Sequence, residues 1–134
     1  MSMFSIFGVA GSAVSAQSQR LNVVASNMAN VDAVAGPDGK AYKSRQVVFE
    51  TVPMGDQATA GVKVNAITES NAPFKRVHNP NHPSADADGY VNYSNVNAVE
   101  EMVNMISASR SYQNNVEVMN TAKTLLPKTL QMGQ

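Results

Sequence analysis

Large apolar side chains spaced seven residues apart, at both ends of the chain, constrain the fold more than any other feature. Phe7, Val14, Leu21 and Met28 recur in this way near the start, with Val24 beside them. Met105, Tyr112, Met119 and Leu126 do the same near the end, accompanied by Met102, Val116 and Leu130. A heptad repeat keeps one seam of a slightly underwound helix against a neighbour, so each segment is expected to pack in a coiled-coil-like way. Around the first seam stand Ala, Ser, Gly, Asn and Gln, and Arg20 is the only charged side chain before Asp32. A helix face meant for water carries more charge than this. These apolar residues are therefore expected to form an assembly interface, the competing reading being two helices that simply pair inside a monomer.

Composition narrows the function classes. Only 15% of residues are charged, against roughly 25% in ordinary soluble domains, while fourteen Asn and seven Gln outnumber the ten acids or the ten bases. With a formal net charge of zero there is no basic face for nucleic acid or an anionic membrane. The chain has no cysteine, which removes disulfides, thiolate nucleophiles and Cys-based zinc sites. Residues 3–16 are apolar or small, but the first basic residue, Arg20, follows that run instead of preceding it, so no cleaved signal peptide is expected. The run is also shorter than the roughly 20 residues that span hydrocarbon.

The sequence divides into three parts: residues 1–32 as an N-terminal helix, 33–95 as a β-hairpin and extended connector, and 96–134 as a C-terminal helix. The fold class expected is mainly α with a small β insert, the two terminal helices pairing as one discontinuous domain. Asn30 is expected to close the first helix as a left-handed cap before the turn Gly36-Pro37-Asp38-Gly39. Residues 46–49 and 61–67 are β-branched and partly alternating, with turn formers at 53–56 between them, which predicts a hairpin. The prolines at 80 and 83 exclude a helix there and predict a connector. Asn97 and Glu100 have the spacing of a capping box and open the last helix, which Pro127 is expected to kink or end near Leu126. Gln57, in the central turn, is expected to tolerate substitution.

Little in the chain supports catalysis. His78, His82, Asp86 and Asp88 form the only cluster of metal-like side chains, but prolines between the histidines forbid the helical face that would bring both to one ion. Residues 84–95 imitate part of a calcium loop, yet begin on Ser84 and end on Asn95 where a bidentate Glu is needed. No nucleophile elbow or phosphate loop occurs. No cofactor, metal or small-molecule substrate is expected.

Two stretches carry a specific resemblance. SAQSQRLNVVASNMANVDA at residues 15–33 resembles the N-terminal signature of the bacterial flagellar axial proteins, the rod and hook subunits, and ISASRSYQNNVEVMN at 106–120 resembles their C-terminal motif. GPDGKAYKSRQVVFE at 36–50 and ADADGYVNYSNVNAVEEMVNM at 85–105, with the short length, are similar to the proximal rod members of that family. The positions matching the family motif are Leu21, Asn22, Asn27, Asn30, Arg110, Tyr112 and Asn115. Ser94 departs from the pattern, standing where the family tends to have proline, and Pro127 interrupts a helix usually continuous.

The resemblance implies a non-enzymatic structural subunit of the flagellar rod, the shaft between membrane ring and hook, needed for motility. It implies export through the flagellar type III apparatus without a cleaved signal. Partners implied are other copies of the chain, other rod proteins, and components of the membrane ring and export apparatus. The alternative is a periplasmic or secreted binding module with a two-helix stalk, using the 78–90 loop as its site.

Overall fold

The computed structural model describes residues 3–55 and 59–133. Gln57, and with it Asp56 of the expected central turn, lies outside the described residues. The element order is α1 (Met3–Ala29), β1 (Arg45–Pro53), β2 (Ala60–Glu69), β3 (Arg76–His78), β4 (Tyr90–Asn92) and α2 (Ala98–Met132). The two terminal helices pack on one another, and the β1–β2 hairpin lies against α1. The mainly helical class with a small β insert agrees with the sequence reading.

Both ends of α1 and α2 show how polar side chains set the boundaries. Asn97 precedes α2 with an extended backbone, and its side-chain oxygen accepts from the Val99 and Glu100 amides, filling two of the donors a helix start leaves open. At the end of α1, Asn30 does not adopt the expected left-handed conformation, for among the described residues only glycines have positive φ. Its side-chain amide instead donates to the Ser26 carbonyl at 2.8 Å, which satisfies the helix end without that backbone strain. Pro127 does not end α2 near Leu126: the helix runs on to Met132. Thr124 and Thr129 bond back to the carbonyls of Asn120 and Leu125, on either side of the proline.

β1 and β2 pair antiparallel from Arg45 opposite Glu69 to Pro53 opposite Ala60, with a register shift between Val48 and Phe49. The turn is held by Thr59, whose hydroxyl donates to the Met54 carbonyl at 2.6 Å. Ser12 docks this hairpin to α1: its hydroxyl donates to the Val9 carbonyl at 2.7 Å and accepts from the Val62 amide at 3.1 Å. Gly61 permits the approach, since a Cβ there would stand 2.7 Å from Ser12 Oγ and 2.5 Å from Met54 Sδ.

The stretch expected to be a connector contains a second antiparallel ribbon, β3 against β4. Three-residue strands carry too little periodicity to announce themselves. Val91 in β4 is fully buried, and Ser94 just beyond donates to the Val31 carbonyl at 2.8 Å. The residue that departs from the family pattern thus ties the approach to α2 onto the end of α1, a bond proline could not make. Asn95 gathers three segments: its oxygen accepts from the Ser44 amide at 2.6 Å, and its amide donates to the carbonyls of Ser70 and Ala72.

Candidate assembly interface

The helix pair buries small side chains and leaves large ones outside. Buried residues of α1 are Ala10, Ala16, Val24 and Asn27; those of α2 are Glu101, Ala108 and Ala122. Glu101, Ala108 and Ala122 fall on one heptad row, with half-buried Asn115 filling the gap at the remaining position. That row lies beside Met105, Tyr112, Met119 and Leu126, four residues behind each, as one core position lies beside the other in a heptad. Spacing of large residues therefore reveals one row, while the more deeply buried row is hidden in Ala, Asn and Glu. Met119 reaches across the helix pair, its Cε lying 3.9 Å from where a Cβ on Gly11 would stand.

In α1 the expected seam is divided. Val24 is buried, Val14, Leu21 and Met28 are half-buried, and Phe7 is 41% exposed. Asn27 lies about a third of a turn and Ala16 nearly half a turn away from that seam, and Asn27 points to the hairpin. Its side-chain amide donates to the Arg45 carbonyl at 2.8 Å, while its oxygen accepts from the Arg45 amide and the Tyr42 hydroxyl, each at 2.9 Å. Asn27 is thus spent on the fold, clamping the first residue of β1. Asn30 and Asn115 bond carbonyls of their own helices, Leu21 and Tyr112 are half-buried, and Asn22 and Arg110 are exposed.

Over its first turns the outer face of α2 is apolar, and exposed Arg110, Gln113, Glu117 and Asn120 continue it beyond. Val99, Met102, Val103 and Ile106 follow the spacing of a single helical face and are 50–70% exposed, Val103 at 61% and Ile106 at 54% among them. Met105, Val118, Leu125, Leu130 and Met132 extend exposure along the helix, whereas Val116 and Leu126 are half-buried. Val99, Val103 and Ile106 lie off the heptad row named from the sequence, and steps of four and three join them. Among the described elements α2 packs on α1 alone, so no other described helix or strand covers this face. A shallow groove of about 460 Å³ continues it, lined by Ile6 with Val118, Ala122 and Leu125.

Total exposure makes the same point quantitatively. A compact monomer of 14.3 kDa exposes about 6,800 Å², and this chain exposes 8949 Å². The surplus, about 2,100 Å², is larger than the roughly 800 Å² that one partner contributes to an ordinary stable interface.

The 78–90 loop, by contrast, is consumed internally. Asp86 Oδ1 accepts from the amides of Asp88 and Tyr90, Asp86 Oδ2 lies 3.3 Å from Arg76, and Gly89 supplies the positive φ the turn requires. These bonds, the Tyr90 amide first, hold the Asp86 carboxyl below its ordinary range. His78 meets the Tyr90 ring edge-on, and His82 Nδ1 accepts from the Ser84 amide.

Residues 7–37 match the family described as flagella basal body rod protein, and residues 87–132 match the C-terminal family of flagellar basal body rod FlgEFG proteins. Flagellar basal-body rod protein FlgC of Salmonella typhimurium is 57% identical over 134 residues, all of both chains. FlgC of Escherichia coli O157:H7 is 58% identical over the same length, again all of both chains. FlgC of Buchnera aphidicola subsp. Baizongia pistaciae is 38% identical over 136 aligned residues that also span both chains completely. The chain belongs to the FlgC family of flagellar basal-body rod proteins. It is a structural subunit of the rod and not an enzyme, and it assembles with other components of the basal body. The binding-module alternative is not favoured: the FlgC match spans the whole chain, and the loop that would be its site is bonded within itself.

Proposed function

We propose that this rod subunit belongs to the proximal rod, the part of the drive shaft that crosses the periplasm from the membrane ring toward the hook. The terminal helices act as one discontinuous domain that stacks in a coiled-coil-like way with neighbouring copies and other rod proteins. The half-exposed seam residues named above, together with the open face of α2, form its contacts. One observation carries this reading: a chain with an exposed surface of 8949 Å² on whose C-terminal helix Val99, Met102, Val103 and Ile106 stand exposed side by side.

Delivery goes through the flagellar type III apparatus, with the membrane ring and export components as early neighbours. In support, the apolar run before Arg20 is part of α1 and packs on α2, so it serves the fold itself. No described helix is long and apolar enough to cross a membrane.

The test is genetic and structural together. Cells lacking the chain are expected to be non-motile, with basal bodies that stop at the inner ring, and a plasmid copy should restore both rod and swimming. Full-length rods and normal swimming in its absence would overturn the proposal.

A further inference from the structure

A concave apolar surface lies farther along the helix pair from the ridge that Val99, Met102, Val103 and Ile106 form. The groove of about 460 Å³ is walled by Ile6 of α1 and by Val118 and Leu125 of α2. A second hollow of about 480 Å³ shares Ile6 and Val118 with it and reaches Val9 of α1 and Ala60 of the hairpin. Val118 and Leu125 are 44% and 42% exposed, so the walls stand half-open to water. Contiguous apolar surface left in this state marks a place for a partner.

The chain itself carries the matching shape. Exposed Arg110, Gln113, Glu117 and Asn120 separate ridge from groove along α2, which makes them two surfaces and not one. From Val103 to Thr121 is 18 residues, about 27 Å along the helix, and Val118 and Leu125 project about a quarter of a turn round from the ridge. Surfaces offset in both height and direction cannot meet within one chain. On equally oriented neighbours they meet again at every step, and the combined rise and rotation build an open helix. Two antiparallel copies would close on each other and stop. Area agrees, because two patches of roughly 800 Å² fit within the surplus of about 2,100 Å² over a compact monomer, whereas one patch leaves more than half of it in water.

We infer that the groove receives the opening turns of the C-terminal helix of a neighbouring rod subunit built like this one, an apolar ridge of the kind Val99, Met102, Val103 and Ile106 form here. The inference rests on the rod-assembly reading above and adds a geometry: neighbours stacked in the same direction, about 27 Å apart along α2. Charge fits that geometry. Glu117 is the only charged residue lining the two hollows, and a shift of 18 residues sets it level with the first turn of the neighbour's helix, whose open amides favour an anion.

Photocrosslinking reads the contact. The chain has no cysteine, so Thr121→Cys, exposed in the groove wall, can carry a short photoreactive group alone. In intact basal bodies the crosslinks should fall on the first turns of a neighbouring rod subunit's C-terminal helix. If that neighbour is another copy they fall on residues 99–106, which within the same copy are at least about 22 Å away and out of reach. Crosslinks to any other segment, to a protein of the membrane ring, or only within the same copy would overturn the inference. A second measurement does not depend on the label. Val118→Lys sets a charge in the groove, and Asn120→Lys sets one on the exposed polar stretch beside it. Both free subunits should melt within about 4 °C of the parent, because both positions are open to water. In basal bodies from complemented cells, incorporation of Val118→Lys should fall about tenfold or more and that of Asn120→Lys stay within about twofold. Equal incorporation or equal loss of the two would overturn the groove and leave the rod reading intact. Absence of the parent chain itself from purified rods would instead sink the rod reading.

Discussion

Helices α1 and α2 share a heptad spacing and differ in what surrounds them. α1 is enclosed on two sides, by α2, whose Met119 reaches Gly11, and by the hairpin through Ser12 and Asn27, whose hydrogen bonds reach Val62 and Arg45. α2 has one such side, the row Glu101, Ala108, Asn115 and Ala122, and presents Val99, Met102, Val103 and Ile106 outward. Folding within the chain thus accounts for both sides of α1, whereas the outer face at the start of α2 is left for the assembly we propose. Buried polar bonds mark the first role, and uncovered apolar side chains mark the second.

The difference is sharpest under a charge substitution. Ile106→Asp on the open face of α2 should leave the free subunit within about 0.5 kcal/mol of the parent, because the side chain is already 54% exposed. In the assembled rod the same carboxylate would be buried without a partner, a penalty of several kcal/mol repeated in every subunit. Cells should accumulate the variant and fail to swim. Leu21→Asp and Met119→Asp, at half-buried seam positions, should also block assembly but lower the stability of the free subunit as well.

The mirror case is Asn27→Ala. It strands the Arg45 amide, the Arg45 carbonyl and the Tyr42 hydroxyl together, so urea denaturation should show a loss of about 3 kcal/mol in the free subunit. Any motility defect should track the lowered subunit level and not rod geometry. A smaller effect on the same side is expected from Gly61→Ala, where the added methyl meets Ser12 and Met54; overpacking of this kind costs about 1–3 kcal/mol.

What could be read from the sequence follows the same division. The helix spans, the hairpin and the Asn97 cap were legible because periodicity, β-branched runs and capping chemistry are local signals. The deeper row of α2 was not, because Ala108 and Ala122 are small enough to pass as spacers and Glu101 reads as a surface charge. The roles of Asn27 and Asn95 were not legible either. Their partners, Arg45 for one and Ser44, Ser70 and Ala72 for the other, lie 18 to 51 positions away, and no local pattern joins them. Pro127 misled for a different reason: its ring removes the one helical bond to the Lys123 carbonyl, a local loss that does not stop the helix from running on to Met132.

The smallest expected effect belongs to the ribbon, which neither helix needs for its packing. Asp86 has its folded-state pKa lowered by the Tyr90 amide, then by Asp88 and Arg76, so it contributes stability above its ordinary pKa of 3.8 and loses it as pH falls through the lower folded value. Amide exchange at Tyr90 should therefore be flat near neutrality and quicken, relative to chemical exchange, only as pH falls below the ordinary carboxylate pKa of 3.8. Asp86→Asn should remove that acid dependence and leave assembly unchanged.

The central claim is that the outer face of α2 is open in the free subunit and covered in the rod. Methionine oxidation measures it directly, because Met102 is 50% exposed, and Met132 is 87% exposed. Brief hydroxyl-radical treatment of the free subunit should oxidise both, and the same dose applied to purified basal bodies should spare Met102 by about tenfold, the loss expected when a thioether passes from open water to a packed interface. Equal oxidation of Met102 in the two states would contradict the account, for it would place this face in water within the finished rod.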